Sequence, residues 1–202
     1  MKATISSTDR AAYVTLGLLG VVAGIAAIVL LSLFVEAMPT THATGGVLSD
    51  KVALTIVAQR ADSAISGPSY VPSTDLVLPA HTLVTVTIVN QDLGDTPLPA
   101  GSPFSNVAGT SGGVAFVDGQ AYRSLDTSKV AHTFSIPQLG INVPIPGDVP
   151  QGHQGVTVTF TFLTGNAGTY LWRCMDPCGA GQYGWGGPMS MAGYMEGTLT
   201  LE

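Results

Sequence analysis

Charge is scarce in this 202-residue chain, at 10% of residues, and basic charge is scarcest, with seven lysines and arginines in all. A chain so poor in cations lacks the electrostatic footprint of a nucleic-acid binder. No phosphate-cradling glycine loop, no paired carboxylates and no Ser/His/Asp arrangement can be placed along it. Nothing therefore points to a hydrolase or a phosphoryl transferase. Helical periodicity is hard to find beyond residue 50. Cysteine is limited to Cys174 and Cys178, and the closing stretch that holds both, "RCMDPCGAGQYGWGGPMSMAGYMEGTLTLE", contains no histidine.

What is abundant is apolar, and it is concentrated at one end. "YVTLGLLGVVAGIAAIVLLSLF" (13–34) runs for 22 residues without a charge. At about 1.5 Å per residue this spans roughly 33 Å, enough for a bilayer core. A cleavable secretory signal is the rival reading, since "FVEAMPTTHATGG" offers small residues, but its apolar region is ordinarily shorter. Lys2 and Arg10 precede the segment, and no basic residue follows until Lys51. The positive-inside bias predicts a single-pass cell-membrane protein with a cytoplasmic N-terminus and everything after Glu36 outside. From Glu36 onward five basic residues stand against twelve acidic ones, a balance suited to a basic protein partner. In that oxidising compartment the two cysteines are candidates for a disulfide or for a metal pair.

The expected organisation is a stub and anchor helix over 1–36, a linker over 37–50 and an extracytoplasmic domain over 51–202. "KVALTIVAQ" (51–59), "LVTVTIVN" (83–90), "VTVTFTFL" (156–163), "TYLWRC" (169–174) and "EGTLTLE" (196–202) alternate apolar with polar or small residues, as half-buried strands do. "VAFVDG" (114–119) and "KVAHTFSI" (129–136) are weaker candidates. Seven or so short strands between Pro- and Gly-rich turns predict an all-β, antiparallel Greek-key sandwich. Residues 91–126 read as an inserted excursion with at most one short strand.

The soft ligands fall in a telling order. His132 lies in the strand-like "AHTFSI"; Cys174 ends the strand "GTYLWRC" and is followed by Cys178; Met195 precedes the last strand. Thiolate, imidazole and thioether together suit copper that cycles between Cu(I) and Cu(II). "PAHTLVTVTIVNQD", "VAHTFSIPQLGINVPIPG" and "GNAGTYLWRCMDPCGAG" resemble the cupredoxin domain of cytochrome oxidase subunit II, which carries a dinuclear copper (CuA) centre. The resemblance covers roughly 76–202 apart from the excursion. It implies a cupredoxin-like Greek-key β-sandwich with one N-terminal transmembrane helix. It makes His132 a copper ligand and Cys174 and Cys178 a bridging thiolate pair. It also gives Asp176 a backbone-carbonyl contact with copper, makes Met195 a ligand, and sets Ile145–Pro146–Gly147 in a turn.

One departure is plain. The family's second histidine falls on Gln182 when counted from Cys178, and on Ala192 when counted back from the last strand, so "YGWGGPMSMA" reads as an insertion in the ligand loop. Three outcomes stay open. The dinuclear site persists with Gln182, Met189 or Met191 in the histidine's place; a mononuclear site uses His132, one cysteine and Met195; or the centre is lost and Cys174 and Cys178 form a disulfide. Met189 and Met191 read first as apolar filler. His81 and His153 read as loop histidines, His42 as solvated near the membrane, and Trp172 and Tyr170 as core.

By the resemblance, the domain breaks no substrate bond itself. It would accept electrons from an external donor, a cytochrome c or a blue-copper protein, and pass them to the catalytic subunit of a haem–copper oxidase. Gly17, Gly20 and Gly24 permit close packing of the anchor on that subunit. The alternatives are a copper-free structural subunit of a quinol-oxidising or other respiratory complex, and a free-standing anchored copper carrier.

Overall fold

The computed structural model describes residues 50–94, 97–147, 155–179, 181 and 183–202, all within one compact unit. The expected anchor, the linker up to Ser49, His42, His153 and Gln182 lie outside the described residues. Among the described residues no helix is long and apolar enough to cross a membrane.

The alternating segments form strands because a period of two places every second side chain on one face. Thus β1 (Lys51–Val57), β4 (Leu83–Asn90) and β9 (Val156–Leu163) bury Val52, Leu54, Ile56, Val84, Val86, Ile88, Val158, Phe160 and Phe162 on one side. The intervening threonines stay near solvent; Thr85 and Thr161 sit opposite each other and share a 3.0 Å hydroxyl hydrogen bond. The short β2 (Ser69–Val71) flanks β1, while β5 (Ala115–Val117) and β6 (Gln120–Tyr122) follow β9. The first sheet therefore has the order β2-β1-β4-β9-β5-β6.

The second sheet has the order β3-β11-β10-β7-β8, from β3 (Leu76–Leu78), β11 (Glu196–Leu201), β10 (Gly168–Arg173), β7 (Val130–Ile136) and β8 (Ile141–Pro146). Between the sheets lies one apolar core. Trp172 stacks on Phe134 with centroids 4.9 Å apart and meets Tyr70 edge-on at 4.9 Å. The indole N–H donates to the Thr74 carbonyl at 2.8 Å, which satisfies the buried polar end of that side chain.

The all-β sandwich agrees with the expectation, with three differences. Both sheets are mixed, since β1 pairs with β4 and β3 with β11 in parallel. Ile145 and Pro146 belong to a strand rather than a turn. Prolines are tolerated in β8 because it is an edge strand, where a missing N–H breaks no inner ladder. The excursion holds two strands rather than one, joined by Asp118–Gly119, both at positive φ (46° and 84°), as a tight two-residue hairpin requires. It also covers the β8 edge. Ala108 exchanges backbone hydrogen bonds with Asn142 at 2.8 and 3.1 Å, and the Tyr122 hydroxyl donates to the Pro144 carbonyl at 2.6 Å. That cover explains why all residues of β7 and β8 are buried.

Candidate metal centre

β7 carries His132 into the interior, just past a register shift between Val130 and His132. The ring is fully buried, and its two nitrogens differ. Nε2 lies 2.9 Å from Oδ2 of Asp92, whereas Nδ1 makes no hydrogen bond. Asp92 is held for this task by the end of β4. The Asn90 side chain accepts from the Asp92 N–H at 3.0 Å and donates to the Asp92 and Pro146 carbonyls, both at 2.8 Å. The Gly94 N–H donates to Asp92 Oδ2 at 3.1 Å.

Cys174 follows the last residue of β10, and its N–H donates to the Met195 carbonyl at 2.8 Å. Its sulfur accepts from the N–H groups of Thr133 (3.3 Å) and Asp176 (3.4 Å). The chain then turns at Pro177, where the Cys178 N–H donates to the Asp176 carbonyl at 2.8 Å. This turn brings the two sulfurs within 3.4 Å as free thiols, well beyond a covalent S–S length of about 2.05 Å. His132, Cys174 and Cys178 together offer ligand atoms within 4.8 Å of one another. With Nε2 engaged by Asp92, Nδ1 is the nitrogen left free to serve a metal.

Electrostatics couples these groups. Burial opposes the charged form of His132, but its interactions with Asp92 and Cys174 outweigh that and raise it to about 9. Burial likewise opposes ionisation of Cys174, yet its interactions with Cys178 and with the nearby His132, together with the Thr133 N–H, carry it well below the usual thiol range. Cys178 is pushed upward by hydrogen bonding to Cys174, then by burial and the neighbouring negative charge. Asp92 resists its own burial and lies below the ordinary carboxylate range through its contacts with His132 and Gly94. Both directions favour an imidazolium–thiolate pair in the metal-free site.

The residues expected at a metal are partly assembled. Asp176 is fully buried, and its carbonyl oxygen lies 3.5 Å from Cys174 Sγ. Its carboxyl oxygens have no hydrogen-bond partner, and burial followed by the Cys174 charge raises it to about 8. Met195 is fully buried and joined to Cys174 through its backbone. The sulfur of Met189 lies 3.2 Å from Cys178 Sγ. His81 sits exposed at the β3–β4 turn, as a loop histidine should. Asp92 was not anticipated. The signal for it was "NQD" at a strand end, where Asn and Asp readily close a local turn.

The donor set fits a soft metal: one imidazole nitrogen left without a partner in a dry interior, and two sulfurs on its open side. The surface grooves of about 370 Å³ beside Trp172 and Glu196 and about 420 Å³ beside Tyr122 and Val156 are lined by none of His132, Cys174 and Cys178.

No family model and no curated protein matches the sequence. Solved structures to which the chain is similar include auracyanin B, at 18% identity and a TM-score of 0.34, over 75% of this chain and 88% of that one. Another is sodium-dithionite-reduced auracyanin from the photosynthetic bacterium Roseiflexus castenholzii, at 12% identity and 0.35, over 77% and 98%. Reduced rusticyanin matches at 15% identity and 0.33, over 76% and 81%.

Proposed function

We propose that this chain is a copper-binding electron-transfer protein of the cupredoxin kind. The observation that carries the reading is the convergence of the buried His132, one ring nitrogen of which has no hydrogen-bond partner, on two free thiols, with ligand atoms within 4.8 Å of one another. Copper, when bound, supplies the one-electron chemistry. The protein's own part is to hold the ligands still. Asp92 fixes the imidazole tautomer, and the N–H groups of Thr133 and Asp176 stabilise charge on the Cys174 sulfur. An exposure of 0% for His132 and Cys174 and 7% for Cys178 keeps water from the ligands.

The finer reading is a membrane-anchored, subunit II-like electron-entry subunit of a haem–copper oxidase, with a CuA-like dinuclear centre. It rests on the sequence resemblance and on the apolar segment 13–34. The external donor would dock where Leu93, Tyr183 and Trp185 stand exposed on the segments that carry Asp92 and follow Cys178.

Electron paramagnetic resonance of the copper-loaded full chain tests the proposal. A seven-line mixed-valence spectrum that Cys178→Ser abolishes supports the dinuclear centre. A four-line spectrum supports one copper and overturns the CuA-like reading alone. A chain that binds no copper and shows no titratable thiol overturns electron transfer altogether.

A further inference from the structure

The cluster of one nitrogen and two thiol sulfurs leaves a place for a fourth donor, and the loop after Cys178 brings one. Met189 is 2% exposed, and its Sδ reaches to 3.2 Å from Cys178 Sγ. The approach is constructed by the backbone around it. The short 3-10 turn Gly187–Ser190 presents Met189 inward, and the Met189 carbonyl accepts from Arg173 Nη2 at 3.4 Å. Pro188 seats directly on Gly67, where a Cβ would come within 2.7 Å of its ring. Gly179 clears the path of the thioether, since a Cβ there would lie 2.7 Å from Met189 Cγ. Met191, two residues on, is 40% exposed and faces away from this interior.

We propose that Met189 is a ligand of the metal centre, so that the site offers one imidazole, two thiolates and a thioether. Such a sulfur-rich set favours Cu(I) over Zn(II), because a thioether is a good donor to the soft ion and a poor one to the borderline ion. The assignment deepens the copper reading above and rests on it. As apolar filler, Met189 would need only to be buried. As a ligand, it must bring its sulfur to the cysteine pair, and its 3.2 Å approach to Cys178 Sγ does so.

The test is anaerobic competition of the full chain with a chromophoric Cu(I) chelator, alongside a parallel Zn(II) titration. Wild type is compared with Met189→Leu and Met191→Leu. Leucine nearly conserves volume, so the fold is retained. Met189→Leu is expected to weaken Cu(I) about tenfold or more while leaving Zn(II) nearly unchanged; Met191→Leu alters neither. Copper K-edge absorption of the Met189→Leu protein should lose one sulfur scatterer. If Met189→Leu binds Cu(I) as wild type does, or loses both ions equally, Met189 is not a ligand, and the copper reading survives. If wild type itself takes up no Cu(I), the copper reading falls and this assignment with it.

Discussion

Replacing Asp92 isolates the part of the site that sequence inspection does not find. His132 is fully buried, and its Nε2–Asp92 Oδ2 contact of 2.9 Å is the imidazole's one hydrogen bond, because Nδ1 has no such partner. Asp92→Ala leaves the ring without a partner at either nitrogen and removes the acceptor of the Gly94 N–H. Loss of a charge-assisted hydrogen bond costs about 1.5–3 kcal/mol, and the Gly94 contact adds about 1. Stripping one member from a buried pair reaches about 3–5 kcal/mol. Since the Asp92 side chain is 17% exposed, the lower part of that range applies, and ~3 kcal/mol is expected for the metal-free chain. Asp92→Asn keeps the shape and a neutral acceptor, and should cost roughly half as much. Urea unfolding of the metal-free full chain, followed by the fluorescence of buried Trp172, measures both. With the carboxylate gone, burial prevails over the remaining contacts, so NMR titration should show His132 well below its value of about 9. A change in stability under about 0.5 kcal/mol, or a His132 titration unmoved by Asp92→Asn, would refute the reasoning.

Two further predictions concern the ligand loop and pH. A Cβ on Gly179 would meet the Gly186 carbonyl oxygen, Met189 Cγ at 2.7 Å and the Gly184 carbonyl oxygen at 2.9 Å, against which the Gly179 N–H also bonds at 2.7 Å. Gly179→Ala should therefore destabilise the chain by about 2–3 kcal/mol in urea titrations and weaken copper uptake; wild-type behaviour in both would show that the loop yields freely. In the metal-free protein, Asp176 at about 8 holds a proton that the unfolded chain releases near pH 4, so stability falls as pH rises between those values. His132, raised to about 9, adds stability below pH 6.5 that is lost through pH 9, whereas the lowered Cys174 works in the opposite sense and offsets it. Thermal melts should thus show lower stability at pH 8 than at pH 5, with the slope flattened by Asp176→Asn; a profile rising over that interval would contradict the assignment.

β1, β4 and β9 of the first sheet were legible because their period of two is written into consecutive residues, as in Val84, Val86 and Ile88 against Thr85 and Thr87. β8 was not, because Pro144 and Pro146 argue locally against a strand; only its edge position and the cover from the excursion make it one. The β5–β6 hairpin had a readable signal in Asp118–Gly119, outweighed by the glycine-rich stretch around it. At the site, Met189 read as filler, since burial alone says nothing about where a sulfur points.

By itself the sequence determined that the chain is built of strands, and that two thiols fall together after one of them. Alternation and the turn at Pro177 act within a few residues. The tertiary structure decided the rest: that His132 meets those thiols, that Asp92 occupies Nε2 and leaves Nδ1 without a partner, and that Met189 brings its sulfur to Cys178. These contacts join β4, β7, β10 and the final loop, and only the pairing of the strands brings such distant residues within ligand distance.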